Sequence, residues 1–272
     1  MTVVEVEPGV RLHVRDVGRG RPVLLIAGFG LDHEVWHAQL RDLAPSYRVL
    51  GLDLRGTGSS DKPVRGYGMD RLVADVRTVL DRLDLRDVSL VGYSFGGQVG
   101  LAVAAAGERR LAQLVLVCSN GVRATRSARF PFGRDADRLE PALLTAERTD
   151  RKAARRANVR GAFGTVPEPG LVDWLVGMQL RMPTWSAIEC YRTYLRTDLT
   201  AALDGVGLPV RQIVGAADPV TPADGAEWVR RRLAASGGDG HLTVLAECGH
   251  YPMFEAGERF DRALAGYLAE VG

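Results

Sequence analysis

Apolar positions along the chain follow two rhythms. Six short stretches, PVLLIAG, YRVLGLDL, VSLVGYS, LAQLVLVCSN, VRQIVGAAD and LTVLAECGH, are dominated by continuous apolar runs. Strands of a parallel sheet, buried on both faces, need such runs. Between most of them the apolar residues recur at three-and-four spacing, as in VWHAQLRDLA, MDRLVADVRTVLDRLD, the segment after Ser94, PADGAEWVRRRLAAS and GERFDRALAGYLAEV. That spacing predicts amphipathic helices. The first residues, TVVEVEPGVRLHVRDVG, alternate instead and predict an antiparallel hairpin turning at Pro8-Gly9. Strand and helix in alternation predict an α/β fold with a doubly wound, mostly parallel sheet.

The alternation stops between residues 121 and 200. No good strand pattern occurs there, and Pro131, Gly133, Pro141, Gly161, Pro167, Pro169, Gly170 and Pro183 punctuate several candidate helices. The reading is a core of residues 1–120 and 201–272, interrupted by a helical cap, 121–200. The plainer alternative is a segment that packs beside the sheet as scaffold.

Composition narrows the function classes. The chain has 272 residues, 46% hydrophobic and 25% charged, with 35 basic and 33 acidic side chains. A net charge of +2 gives no reason to expect nucleic acid as a partner. No apolar run approaches the ~20 residues that cross a bilayer, and the N-terminus lacks a signal-peptide pattern. Cys118, Cys190 and Cys248 lie far apart without a Cys-x-x-Cys pair, which argues against a zinc site or a disulfide framework. The expectation is a cytoplasmic protein, monomer or homodimer, with no cofactor and no metal.

Chemistry enters at Gly92-Tyr93-Ser94-Phe95-Gly96. This Gly-x-Ser-x-Gly sits between a predicted strand and a predicted helix, the setting that makes a serine a nucleophile. A sharp turn would lift the hydroxyl clear of the sheet, and the helix that follows would aim its free N–H groups at the same place. A turn serine that merely caps the helix is the plain alternative. A serine needs a base. Of the five histidines, His13, His33, His37 and His241 lie elsewhere, whereas His250 follows the end of the last strand. Ligands and catalytic groups of open α/β sheets gather at the carboxyl ends of the strands. The imidazole in turn needs an acid. Two positions are open: after LVLVC, where the chain reads Ser119-Asn120, and after VRQIVGAAD, which ends in Asp218. Asn120 carries no charge, so Asp218 is the better candidate. Asp32 suits a helix N-cap, Cys248 a buried filler, and Tyr93 sheet packing.

The order Ser94…Asp218…His250, with strand–turn–helix around Ser94, resembles the α/β-hydrolase fold family over nearly the whole chain except the insertion. Gly28, Phe29 and Trp36 match the family's motif after its third strand, with Ala27 in place of the usual histidine. Asp53, Arg55, Gly56 and Gly58 match the loop after the fourth and read as scaffold braced by an Arg–Asp network. The resemblance implies an oxyanion hole from the backbone N–H groups of Phe29 and Phe95. It also implies a substrate pocket with Gly28, Phe29 and Phe95 in its walls. Met182 and Trp185 of the insertion are added as substrate-binding candidates, although an apolar stripe through Met182, Trp185, Ile188 and Tyr191 that packs cap on core is the plainer reading. The implied activity is a serine hydrolase that cleaves a small or medium apolar carboxylic ester or lactone through an acyl-enzyme on Ser94. The same triad in similar capped proteins supports two rivals, hydrolysis of carbon–carbon bonds in β-diketone-like substrates and peracid formation. A ligand-binding relative with slow or no turnover is the non-enzymatic alternative.

Overall fold

The computed structural model describes residues 2–271. Strands β1 (Thr2–Glu7) and β2 (Val10–Gly18) form the antiparallel hairpin expected at Pro8-Gly9. They are followed by β3 (Pro22–Ile26), β4 (Arg48–Leu52), β5 (Val88–Tyr93), β6 (Leu111–Val117), β7 (Val210–Gly215) and β8 (Gly240–Leu245). All eight join one sheet in the order β1-β2-β4-β3-β5-β6-β7-β8. β2 meets β4 antiparallel, and every later pair is parallel.

Successive side chains of a strand point to opposite faces, and the core divides accordingly. Leu24, Ile26, Leu90 and Leu114 face one side, where Leu72 and Val76 of α2 (Met69–Arg82), Val99 of α3 (Phe95–Ala105) and Val229 of α8 (Ala223–Ala235) cover them. Val23, Leu25, Val91 and Val115 face the other side. There Trp36, Leu40 of α1 (His37–Leu43) and Phe260 and Leu264 of α10 (Gly257–Ala269) close the layer. Helices on both faces make the sheet doubly wound, as the two rhythms predict.

One register decides where chemistry can occur. β3 lies between β4 and β5, and Ile26 pairs with Gly92. The chain leaves β3 toward one neighbour and reaches the other only later, so the loops after β3 and β5 part at a switch point of the sheet. The registers Tyr93–Val117, Val117–Ile213 and Gly215–Leu245 bring the ends of β5, β6, β7 and β8 to the same edge.

Residues 121–200 hold four helices and no named strand: α4 (Ala136–Thr149), α5 (Arg151–Ala162), α6 (Pro169–Leu180) and α7 (Thr184–Arg196). A short helix α9 (Pro252–Glu255) follows His250. A buried ion pair ties three of these helices together: Arg155 of α5 grips Glu147 of α4 with two nitrogens and also donates to the carbonyl of Gln179 on α6. Among the described residues no helix is long and apolar enough to cross a membrane.

Candidate active site

Ser94 occupies the turn between β5 and α3 with φ +52° and ψ −116°, a conformation costing about 1–3 kcal/mol for a non-glycine residue. The neighbouring glycines make the turn possible. A Cβ on Gly92 would lie 2.5 Å from the Gly96 carbonyl oxygen, and one on Gly96 would lie 2.5 Å from the carbonyl oxygens of Ile26 and Ala27. The Ser94 N–H donates to the carbonyl of Val117, and its own carbonyl accepts from Gly97 and Gln98. The backbone is thereby locked while the hydroxyl stays free for other partners.

His250 supplies one. Its Nε2 lies 3.0 Å from Ser94 Oγ, and its Nδ1 lies 2.8 Å from Asp218 Oδ2. All three residues are buried. The other oxygen of Asp218 accepts from the N–H groups of Val220 and Thr221 at 2.8 and 2.9 Å, so the side chain is fixed in direction. Asp218, rather than Asn120, is the group beside the imidazole. Asn120 lies against Gly225 of α8.

The loop after β3 completes the floor. A Cβ on Gly28 would lie 3.0 Å from the Tyr93 ring and 3.1 Å from Ser94 Cβ, a tight fit, so the loop after β3 lies close against the serine. Phe95 follows Ser94 directly and Phe29 follows Gly28, and among the described residues neither N–H has a hydrogen-bond acceptor. The Phe29 ring stacks on Tyr191 of α7 at 4.0 Å, and Gln179 of α6 reaches the Phe29 carbonyl at 3.5 Å.

Above Ser94 is a cavity of about 580 Å³. The core contributes Gly28, Phe29, Ser94 and His250 to its wall, and the helical segment contributes Leu139, Leu143, Asn158, Tyr191, Tyr194 and Leu195. Two of the expected wall residues lie elsewhere. Met182 is only 1% exposed and belongs to the apolar cluster shared with α2 and α3, because it sits before α7 and points to the core. Trp185 is 47% exposed on the outer side of the first turn of α7, whose inner side is Ser186, Ala187, Cys190 and Tyr191. Neither lines the cavity, and the plainer reading of Met182 as packing is the one observed. The ring of Phe95 also turns away from the cavity. It lies edge-on to Tyr194 at 5.6 Å and supports it.

Other expected residues fall as follows. Asp32 caps the short helix His33–Trp36 by accepting from the Glu34 N–H. Arg55 does brace the loops, but its bidentate partner is Asp75, with Glu7 at 2.9 Å, rather than Asp53. Asp53 instead accepts from the His33 ring at 2.9 Å and from the Ser59 N–H. Among the described residues, two groups of side chains have donor atoms close enough to share an ion: His13, His33 and Asp53, and Cys118, Asp218 and His250. In both, a carboxylate already serves an imidazole. Cys248 is buried and unpaired, as are Cys118 and Cys190.

The wall residues of the helical segment escape the sequence reading, Tyr194 among them, and so does Glu255. Tyr194 shares the cavity wall with Ser94. Burial pushes its phenol up to about 12, and the nearby Ser94 hydroxyl pulls the other way. Glu255, at the end of α9, accepts from the N–H groups of Gly249 and Tyr251 on either side of His250, and from Gly164 in the helical segment. The His250 N–H itself donates to Ala162 at the end of α5. A signal for Glu255 was present in GHYPMFE, since an acid one turn beyond a catalytic-type histidine can reach back to its loop. Nothing in the spacing of Tyr194 sets it apart from a packing residue.

Comparison with known proteins agrees with this fold. A family model described as "Alpha/beta hydrolase family" matches residues 23–263. A non-heme chloroperoxidase of Streptomyces lividans is 34% identical over 86% of this chain and 88% of its own. A pimeloyl-[acyl-carrier protein] methyl ester esterase of Nitrosomonas europaea is 29% identical over 92% of this chain and 96% of its own. The solved structure of an esterase from Exiguobacterium antarcticum superimposes with a TM-score of 0.93 at 26% identity, covering 98% of this chain and 99% of that one. A sheet wound on both faces, a serine in a strained turn at its carboxyl edge and a match over nearly the whole length lead to one conclusion: the chain belongs to the alpha/beta hydrolase family.

Proposed function

We propose that this protein is a serine hydrolase of carboxylic esters or lactones of small to medium size, with residues 121–200 as a cap that sets substrate choice. The observation that carries the reading is the Ser94–His250–Asp218 relay, at 3.0 and 2.8 Å, opening into a cavity of about 580 Å³. Relatives named as esterases support the choice of bond.

His250 Nε2 takes the hydroxyl proton as Ser94 Oγ attacks the acyl carbon, and the imidazolium that forms is stabilised by Asp218. The carbonyl oxygen becomes an oxyanion held by the N–H groups of Phe29 and Phe95. A donor of this kind is worth about 3 kcal/mol in the transition state. The C–O bond to the alcohol breaks, and His250 returns the proton to the leaving oxygen. Water then enters, gives its proton to His250 and releases the acid, restoring Ser94. A cap over the site excludes bulk water and strengthens each of these contacts. Three unpaired, buried thiols suit the reducing, cytoplasmic setting that we assign to the protein.

The test is covalent labelling. A fluorophosphonate should add once, to Ser94, and abolish turnover of short aryl esters, while Ser94→Ala neither reacts nor turns over. An adduct on another serine of folded protein would refute the assignment. A second reading draws on the relative named a non-heme chloroperoxidase. If hydrogen peroxide replaced water in attacking the acyl-enzyme, the product would be a peracid. Peracid formation from acetate and hydrogen peroxide that is lost in Ser94→Ala would support it.

A further inference from the structure

Among the described residues, Arg134 is the one permanently charged residue in the cavity wall. Its backbone is pinned. It bridges Thr125, and its carbonyl accepts from the Arg126 N–H at 3.0 Å. Thr125, fully buried, is tied in turn to the Leu195 carbonyl of α7 at 2.8 Å. The guanidinium, by contrast, has no hydrogen bond or ion pair among the described residues. Several other arginines of the segment are spent on partners: Arg123 on Asp198, Arg126 on Asp135, Arg155 on Glu147 and Arg196 on Glu140. Arg134 is exposed whereas Ser94 is buried. It therefore stands at the mouth of the cavity and the nucleophile at its floor. Leu139, Leu143, Leu195 and Val220 supply apolar wall to the same cavity.

Charge is also divided unevenly. Residues 121–200 carry 14 basic against 9 acidic side chains, while the whole chain has 35 against 33. The cap is thus positive and the rest of the chain negative, and a positive field at the entrance raises the local concentration of anions.

We infer that the substrate is an amphiphilic anion: an ester or lactone whose acyl chain runs along the apolar wall and ends in a carboxylate held by Arg134. A single guanidinium fork suits a carboxylate monoanion, which it binds through two parallel hydrogen bonds. The inference rests on the ester-hydrolase reading above and names its substrate class.

The experiment compares matched pairs, the mono(4-nitrophenyl) esters of adipic and suberic acid against 4-nitrophenyl hexanoate and octanoate. The wild type should show about a tenfold higher kcat/KM for the anionic member of a pair, the size expected of a charge-assisted hydrogen bond. The anionic-to-neutral ratio should collapse toward one in Arg134→Ala, fall below one in Arg134→Glu and recover in part in Arg134→Lys. It should also shrink at high salt. An anionic ester that is no better than its neutral partner, or a preference that survives Arg134→Ala, would overturn the inference. A second arm reads binding without turnover, as the melting temperature of Ser94→Ala protein with monomethyl adipate. A rise that disappears in the Ser94→Ala/Arg134→Ala double variant supports the subsite even if no ester is cleaved. No rise overturns it. Loss of both fluorophosphonate labelling and ester turnover would count against the hydrolase reading alone.

Discussion

Asp218→Asn tests the relay most directly. Asparagine is nearly isosteric, so its side-chain oxygen keeps the bonds from Val220 and Thr221. Its NH₂ group would then face His250 Nδ1, where the carboxylate oxygen stands at 2.8 Å. An N–H donor there forces the imidazole to accept at Nδ1 and to carry its proton on Nε2. Nε2 sits 3.0 Å from Ser94 Oγ and would no longer be able to take the hydroxyl proton. The imidazolium of the transition state would also lose its counter-charge in a buried site. Swaps of this kind lower kcat by about 10⁴, or about 5.5 kcal/mol at 1.36 kcal/mol per factor of ten. The assay is the kcat of a short aryl ester beside a thermal melt. The melt should move by only a few degrees, since the backbone bonds persist. Asn120→Ala, measured alongside, should cost less than about tenfold, because Asn120 packs against α8. Near-full turnover in Asp218→Asn, or a larger loss in Asn120→Ala, would refute the reasoning and move the acid to the end of β6.

Three further outcomes follow from the packing. Glu255→Gln should lower kcat by at least about tenfold with a small change in KM, because an amide cannot accept from all three N–H groups that hold the His250 loop; an unchanged kcat with only a lower melting temperature would make Glu255 merely structural. Met182→Ala should destabilise by about 2–4 kcal/mol in urea unfolding without altering the ranking of ester chain lengths, whereas Trp185→Ala should stay within about 0.5 kcal/mol; a changed ranking in either would return these residues to the pocket. Burial, with Asp53 beside it, lifts the Asp32 carboxyl from 3.8 to about 6 against the pull of Arg181. The folded chain then holds a proton that the unfolded chain has released, so this carboxyl contributes a loss of stability as pH rises from about 4 to 6. Asp32→Asn should flatten that part of the melting-temperature profile, and an unaltered slope would show that Asp32 ionises normally.

Much of this molecule was legible in its sequence because the information is local. A strand buried on both faces must be apolar throughout, and a helix lying on a sheet must show its stripe, so runs such as PVLLIAG and MDRLVADVRTVLDRLD announce their elements wherever they pack. Gly92-x-Ser94-x-Gly96 announces its turn because atoms of β3 and α3 leave no room for a Cβ. Chain order and the carboxyl edge of the sheet were enough to single out Asp218 and His250. Tertiary structure alone decided what depends on distance between remote segments. Ser94 and His250 are 156 residues apart, and the 3.0 Å between Ser94 Oγ and His250 Nε2 arises from the register of four strands and from the ties of the His250 loop to Ala162 and Glu255. The direction of side chains in the helical segment 121–200 was likewise hidden. Met182, Tyr191 and Tyr194 lie within a dozen residues of one another, all apolar or aromatic, yet the first enters the core and the other two face the cavity. A helical stripe tells that a face is buried but not what buries it. An arginine at a helix entrance reads in sequence as one more solvated charge, and only the closing of α4 and α7 over the sheet gave Arg134 a cavity to face.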